Sequence, residues 1–297
     1  MIKEFFKKHY KKIMIVPLLL LVVSLVFLTY KYSTTGELFN RDVSLKGGIS
    51  ATVYTQKGIN TLDLENKLSS ELNTKVTVTR ISDFVTKTSS GYVIEAGDVS
   101  IEDNLKLKLE EILETPLNDT NYNVSLTGSS LGENFYKDLL KAMIFAFVLM
   151  AIVIFFVFRS FIPSVTVIFS VLLDISATLM ITNLLGITIS IAGIAAFLLI
   201  IGYSVDTDVL MTNKVIKRKD EGELLERMYE SAKTGMTMTV TTFVALTLGY
   251  LASSSLILKE IFIIILIALV IDVISSYAMN AGVLYWYFEG RKNEARR

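Results

Sequence analysis

Residues 139–158 read LLKAMIFAFVLMAIVIFFVF, with Lys141 as the one charged side chain. A helix needs about 20 predominantly apolar residues to cross the hydrocarbon core of a bilayer, so this stretch predicts a membrane-spanning helix. Similar runs lie on both sides of it. One precedes it at residues 13–30, and four follow at residues 164–185, 187–211, 236–254 and 256–288.

The composition agrees with a membrane protein and excludes several other classes. Hydrophobic residues make up 52% of the 297 residues, and the mean hydropathy is +0.53. The chain carries 29 basic and 29 acidic residues, so no excess positive charge indicates nucleic acid as a partner. It has no cysteine and a single histidine, His9, in a lysine-rich tail. Disulfides and thiolate metal sites are therefore excluded, and we expect no metal and no cofactor.

The distribution of lysine and arginine predicts the orientation, because short cytoplasmic loops are enriched in both. The first apolar run could belong to a signal peptide, but no small-x-small cleavage site precedes Lys31, so we expect a retained anchor. The short outer loops hold only Lys259. We therefore predict a multi-pass protein of the cell membrane with cytoplasmic tails at residues 1–12 and 289–297 and a five-helix domain at 138–288. The basic residues on the predicted cytoplasmic side are Lys3, Lys7, Lys8, Lys11, Lys12, Arg159, Lys214, Lys217, Arg218, Lys219, Arg227, Lys233, Arg291, Lys292, Arg296 and Arg297.

Residues 31–137 have the mixed pattern of a soluble domain and lie on the extracytoplasmic side of this topology. Strand and helix signals alternate in the order βαββαβ, which predicts a ferredoxin-like α+β domain. Acidic residues outnumber basic ones in it, so the domain does not resemble a reader of nucleic acid. The predicted strands are 49–54, 75–81, 91–96 and 122–127, and the predicted helices are 61–72 and 100–114, the second capped by Ser100.

Two sequons on the outer side, at Asn118 and Asn123, permit glycosylation but do not establish it. The pair Gly47-Gly48, just before the first predicted strand, is by itself a weak turn signal.

Four acids fall inside the predicted spans: Asp174, Asp206, Asp208 and Asp272. A charged side chain inside a bilayer costs several kcal/mol, so each of them is a candidate functional residue. Asp174 lies deepest, and a buried hydrogen bond between helices explains it as well as function does. Asp206 and Asp208 are two positions apart and point in different directions. We expect Asp206 to face a partner helix and Asp208 to be solvated at the helix end.

The fifth predicted span begins with an unusual density of hydroxyl groups. Thr234, Thr237 and Thr241 share one stripe of a helix by their spacing. Close helix packing explains such a stripe, and so does a polar lining beside Asp206. Lys233 is the nearest candidate counter-charge, although a cytoplasmic position accounts for it equally well.

Taken in order, these elements resemble the SecD/SecF family of protein-export membrane proteins, most of all its archaeal SecF type. The resemblance covers nearly the whole chain. Its carriers are Gly47-Gly48 after the first span, residues 205–209 (VDTDV), residues 233–242 (KTGMTMTVTT) and the pair Ser275-Ser276.

The resemblance implies a fold related to the resistance-nodulation-division transporters, and a role in translocating unfolded polypeptides beside the Sec channel. It also implies a SecD-like membrane subunit that completes a pair of six-helix units in the lipid. Asp206 matches the intramembrane acid of SecD-type sequences and implies coupling to the proton gradient. Bacterial SecF has its acid at the position of Thr207 and an arginine at that of Thr234, so the chain departs from that pattern. In the mechanism that we expect, protonation shifts the helices and swings the outer domain on short tethers near Lys31 and Lys137.

Two alternatives stay open at this level: a stand-alone transporter of small molecules or lipids, and a structural scaffold of the translocon without ion coupling. Enzymatic activity is not expected, because one tail histidine offers no catalytic triad and the chain has no phosphate-binding loop. An intramembrane aspartyl protease would need two facing acids, for which Asp174 and Asp206 are the available pair.

Overall fold

The computed structural model describes residues 2–82, 89–218, 220, 222–253 and 255–294. The basic residues Lys219, Arg296 and Arg297 of the predicted cytoplasmic side lie outside this part. The helices are α1 (Ile2–Thr35), α2 (Val43–Lys46), α3 (Thr61–Glu71), α4 (Glu102–Leu113), α5 (Ser129–Phe158), α6 (Phe161–Leu184), α7 (Ile191–Lys217), α8 (Leu224–Ala252), α9 (Leu256–Ile274) and α10 (Ala281–Glu294), and the strands are β1 (Gly48–Val53), β2 (Val76–Ser82), β3 (Ser89–Ala96) and β4 (Tyr122–Thr127).

Five of these helices, α1 and α5 to α8, are long and apolar enough to cross a membrane. Helix α6 is mostly buried and α7 about half buried, whereas α5 and α8 expose most of their apolar side chains. Helices α6 and α7 therefore form the centre of the bundle, with α9 packed against both. The last predicted span, residues 256–288, consists of α9, a π-helical segment (Ser275–Asn280) and α10.

Several helices extend beyond the predicted apolar runs. Helix α5 begins at Ser129, and α8 begins at Leu224, well before the predicted starts at residues 139 and 236. Helix α7 begins only at Ile191, where the hydroxyl of Ser190 accepts hydrogen bonds from two backbone amides of the first turn. The predicted short tethers are not seen, because Lys31 lies inside α1 and Lys137 inside α5.

The four strands form one antiparallel sheet in the order β2-β3-β1-β4. Helices α3 and α4 contribute Leu64, Leu68, Leu105 and Leu109 to a core with one face of the sheet. All four leucines are fully buried. The predicted cap at Ser100 is wrong: a 3-10 turn (Val99–Ile101) precedes α4, and the carboxylate of Asp98 caps that turn by accepting from the amide of Ser100.

A hydrogen-bonded strap joins the outer domain to the membrane helices. The side-chain oxygen of Asn183, at the end of α6, accepts from the Lys31 ammonium at 2.5 Å and from the Asn40 amide at 3.1 Å. Its NH₂ group donates to the carbonyl of Leu38 at 3.0 Å. Next to it, the Asp42 amide donates to the carbonyl of Ile189. These bonds hold residues 38–42 against the α6–α7 connection, so the domain is fixed to the bundle at this point.

Gly47 lies where the chain enters β1, at φ 85°, a left-handed conformation that L side chains rarely adopt. A Cβ atom at this position would lie 2.3 Å from the Cα of Ser129, the first residue of α5. The backbones of α2 and α5 therefore touch here, and Gly132 supports the same contact from the other side. The predicted Gly47 turn is thus a backbone crossing between the outer domain and α5.

Gly47→Ala is expected to destabilise the chain by at least about 2 kcal/mol, because it combines a left-handed backbone with overlap against a neighbouring backbone. Gly36→Ala has a similar φ of 72° but open space, so it should cost only about 1 kcal/mol. At Gly58 the backbone has no left-handed φ and an added Cβ atom would meet nothing within 4 Å, so Gly58→Ala serves as the neutral control. Thermal unfolding of the three variants in detergent measures the order, and equal midpoints for Gly47→Ala and Gly36→Ala would contradict the crossing.

Candidate functional site

A cluster of carboxylates lies inside the bundle, centred on Asp208 of α7. Asp208 is fully buried, and its Oδ1 accepts hydrogen bonds from the Ser276 hydroxyl at 2.7 Å and from the Asn280 NH₂ group at 2.8 Å. Both donors belong to the π-helical segment after α9. The second carboxylate oxygen, Oδ2, is buried and accepts no hydrogen bond from the described residues.

Two further buried acids belong to the same cluster. Asp174 of α6 is fully buried and accepts a hydrogen bond from the hydroxyl of Ser204 on α7. Asp272 of α9 is 2% exposed and accepts from the Ser276 hydroxyl at 3.3 Å. Three different helices thus each contribute one carboxylate, and Ser276 lies between Asp208 and Asp272.

The π-helical segment carries both donors of Asp208. Ser276 and Asn280 are four residues apart, a spacing that places both side chains on one face of the helix. Ser276 and Asn280 are both fully buried and both bond to the same oxygen of Asp208. Single-turn π segments occur frequently at functional sites, because they expose backbone and side chains in an unusual register.

The arrangement can bind and release protons. In the described part of the chain, neither lysine nor arginine bonds to Asp174, Asp208 or Asp272. Ionised carboxylates near each other in a medium of low dielectric repel each other strongly, which favours the protonated form of some of them. Among the described residues, one oxygen of each carboxylate and the buried hydroxyls of Ser170 and Thr212 have no hydrogen-bond partner, which leaves positions where protons or water can bond.

The positions of the two aspartates of α7 are the reverse of the prediction that Asp206 faces a helix and Asp208 is solvated. Asp206 is exposed on the surface of the isolated chain, whereas Asp208 is buried in the cluster. The two positions differ by about 200° around a helix, so one can face the bundle only if the other faces outward. Hydropathy alone does not reveal which of them faces inward.

The predicted polar lining does not contact Asp206 within the described chain. Thr234, Thr237 and Thr241 are exposed, and each hydroxyl donates to the carbonyl four residues earlier in α8. Lys233 is exposed as well. Two hydroxyl residues of this helix are buried, Ser231 and Thr239, and the Tyr203 hydroxyl of α7 donates to that of Thr239 at 3.2 Å.

Sequence reasoning did not identify Ser204 or Asn280 as partners of the acids. The signal that could have found Asn280 is its spacing of four residues from Ser276, which places both side chains on one face of a helix. Ser276 was noted as part of a motif but not as a hydrogen-bond donor. All three residues are small or neutral and leave the hydropathy of their spans almost unchanged.

Asn280→Leu is expected to lower the free energy of unfolding by about 1–3 kcal/mol, since it leaves the buried Asp208 carboxylate with one donor fewer. Thr237→Val is the matched control, because its hydroxyl is exposed and bonds only within its own helix. Thermal unfolding in detergent measures both. A destabilisation by Thr237→Val as large as that by Asn280→Leu would show that the Asp208 bond contributes nothing specific.

A family model described as "Protein export membrane protein SecD/SecF, C-terminal" matches residues 108–290, more than half of the chain. The chain belongs to the SecD/SecF family. The matched residues include Asp174, Asp208 and Asp272, so the buried cluster lies within the part of the chain that the family model covers.

Similar proteins include two archaeal members of this family. The chain is 32% identical over 286 residues to "Protein-export membrane protein SecF" of Pyrococcus furiosus, which covers 96% of this chain and 93% of the relative. It is also 32% identical over 290 residues to the protein of the same name from Methanocaldococcus jannaschii, which covers 94% of this chain and 96% of the relative.

Among solved structures, the fold is similar to that of SecDF from Thermus thermophilus, described as a translocon-associated membrane protein. The TM-score is 0.74 at 20% identity, and the match covers 95% of this chain but 38% of SecDF. A second structure, SecDF in a super-membrane-facing form, matches with a TM-score of 0.61 and covers 98% of this chain and 40% of that chain. The chain thus spans about 38% of the length of the first SecDF structure.

Proposed function

We propose that this chain is the SecF-type subunit of the protein-export machinery and assists the translocation of unfolded polypeptides across the cell membrane. The observation that carries the proposal is the full-length similarity to archaeal proteins named SecF, at 32% identity over 96% of the chain for one of them. In this proposal the chain works beside the Sec channel and has no enzymatic activity.

The topology that we infer has six membrane spans, with α9, the π-helical segment and α10 forming the last. Helix α9 carries Lys259, Glu260 and Asp272, which makes it more polar than a typical span although most of its residues are apolar. Both termini are cytoplasmic in this topology, and the positive-inside distribution of lysine and arginine supports it. The βαββαβ order and the antiparallel sheet support a ferredoxin-like outer domain.

We infer that a SecD-like membrane subunit covers the face of the bundle that carries Asp206. That residue lies 15 positions into α7, about 22 Å along the helix, and is exposed in the isolated chain. An exposed carboxylate at such a depth costs several kcal/mol in lipid, so a protein partner or a water-filled interface is expected there. The exposed hydroxyls of Thr234, Thr237 and Thr241 on α8 suit a close helix contact, and lipid surrounds the rest of the bundle.

The cluster of Asp174, Asp208 and Asp272 is the proton-coupling element of this proposal, and Asp206 contributes at the partner interface. Uptake of a proton removes one charge from a buried group whose donors lie on a different helix, which changes the packing that each state favours. One charge that crosses the full membrane potential releases about 2.3 kcal/mol per 100 mV, enough to bias a two-state helix interface. The strap at Asn183 connects α6, which carries Asp174, to the outer domain.

Export of a signal-bearing reporter in cells without this subunit tests the proposal. Complementation with the wild-type chain should restore export, and the chain should co-purify with a SecD-like subunit. A scaffold role would leave the restored export insensitive to an ionophore. Restoration of small-molecule transport without any effect on the exported reporter would overturn the proposal in favour of a stand-alone transporter.

A further inference from the structure

The outer domain has one unprotected sheet edge, formed by β4 (Tyr122–Thr127). Within the described part of the chain, β4 pairs with β1 on one side and with no strand on the other. Its sequence, YNVSLT, contains neither a charged residue nor proline, and its register with β1 is continuous over six residue pairs. Proteins usually protect such an edge with charges, proline or a bulge, because a free edge pairs readily with another strand.

The opposite edge of the same sheet, formed by β2, is protected against the addition of a strand. Strand β2 carries the charged residue Arg80, and its pairing with β3 shifts register between Ile81 and Ser82. Both features disfavour the addition of a further strand. The two edges of one small sheet therefore differ, and only β4 is suited to accept a partner strand.

The pattern of hydrogen bonds between β1 and β4 shows which backbone N–H and C=O groups of β4 are free. The amide of Tyr54 donates to the carbonyl of Asn121 at 2.8 Å, which makes that pair a hydrogen-bonded one. Hydrogen-bonded and non-hydrogen-bonded pairs alternate in an antiparallel ladder. In this register the N–H and C=O groups of Val124 and Leu126 point away from β1. Leu126 is also 47% exposed.

A cleft of about 660 Å³ lies beside the start of β4, between that strand and α4. Three carboxylates line it, those of Glu102, Asp103 and Asp119, and the one cation among its lining residues is Lys106. The Lys106 ammonium lies 5.8 Å from the ring centre of Tyr122, so it is directed at an aromatic face. The rim of the free edge is thus acidic.

We propose that β4 binds an extended segment of the exported polypeptide by strand addition, with a preference for segments that carry basic residues. The inference rests on the proposed export function and names the surface where the client chain docks. Strand addition recognises main-chain groups, so it accepts clients of any sequence, while the acidic rim adds the charge preference. A permanent subunit interface is usually more apolar than this polar rim, which favours a transient client.

Replacing Leu126 by proline removes one outward-facing N–H and leaves the ladder with β1 intact, since proline is tolerated where the amide faces outward on an edge strand. Leu126→Ala is the matched control, because it shortens the same side chain and keeps the amide. The full-length chain in nanodiscs is titrated with a fluorescent synthetic peptide rich in threonine and lysine. We expect Leu126→Pro to bind about tenfold more weakly than Leu126→Ala, at equal thermal stability of the two variants.

Two further arms identify the occupant. A second peptide, with glutamate in place of lysine, should bind the wild-type chain more weakly at low salt, and Asp103→Asn should reduce that difference.

The chain has no cysteine, so a photoreactive probe on Ser125→Cys labels one site. In cells it should cross-link to a stalled export client. Equal peptide affinity of the proline and alanine variants, or cross-linking to a membrane subunit instead of the client, would overturn the proposal. If Leu126→Pro still complements export while peptide binding is unchanged, the docking site is wrong and the export function stands.

Discussion

Asp208→Asn is expected to abolish the ionophore-sensitive part of export while the protein still folds and assembles. An asparagine oxygen can still accept from Ser276 and Asn280, so the hydrogen bonds that hold α7 to the π-helical segment persist. The substitution removes the ability to bind and release a proton. One unpartnered NH₂ group remains, and we expect a loss of stability of about 1–3 kcal/mol or less. The measurement is the rate of reporter export with and without ionophore, at matched membrane levels of each variant.

Asp206→Asn is the matched comparison, because it makes the same chemical change two residues earlier on the same helix. Its side chain is exposed in the isolated chain, so we expect its main effect on association with the SecD-like subunit. Co-purification of that subunit therefore accompanies the export assay. If Asp206→Asn removes the ionophore response and Asp208→Asn retains it, the buried cluster is not the coupling element and the exposed acid is.

The five long apolar helices and the order of the outer strands could be predicted from the sequence because both depend on local composition. A run of about 20 apolar residues predicts a membrane helix, because few other structures contain such a run. The strands also alternate polar and apolar residues, as at Val76 and Val78, and both of these valines are buried in the sheet core. Helix ends were less accurate, because α5 continues from Ser129 through polar residues that hydropathy does not assign to a span.

The partners of the acids could not be predicted, since they depend on how each helix is rotated against its neighbours. Asp206 and Asp208 have the same chemistry and lie two residues apart, yet one is exposed and the other is buried. The decisive contacts come from Ser276 and Asn280, 68 and 72 residues away along the chain. Both donors lie in a π-helical segment, and no residue pattern in that segment indicates a π-helix.

The contacts of Asn183 that hold the outer domain to the bundle could not be predicted from the sequence either. Asparagine at the end of a span is a common helix terminus, and nothing in its neighbourhood predicts bonds to Lys31 and Asn40. The contact requires the ends of α1 and α6 to meet, which is a property of the packed bundle.

Glu95→Gln is expected to stabilise the outer domain by about 2–3 kcal/mol at pH 8 and to have almost no effect near pH 4.5. Glu95 lies on β3, on the sheet face opposite the hydrophobic core, and is only partly exposed. Burial, together with the nearby carboxylates of Asp42 and Glu260, raises the pKa of Glu95 to about 7. The protein therefore binds a proton on folding between pH 4.5 and pH 7.

The sign of the pH dependence follows from this proton uptake. A carboxyl whose pKa is higher in the folded state contributes stability that is fully present below its unfolded pKa and is lost as the pH rises through 7. The wild-type domain should thus become more stable as the pH falls from about 8 to 4.5, and Glu95→Gln should flatten that slope.

Hydrogen exchange of the β1 and β3 amides, corrected for the intrinsic pH dependence of exchange, measures the effect. Asp119→Asn, on an exposed loop of the same domain, is the control and should keep the wild-type slope. An unchanged slope in Glu95→Gln would place the titrating group elsewhere, with Asp42 as the first alternative, because burial raises the pKa of that carboxyl as well.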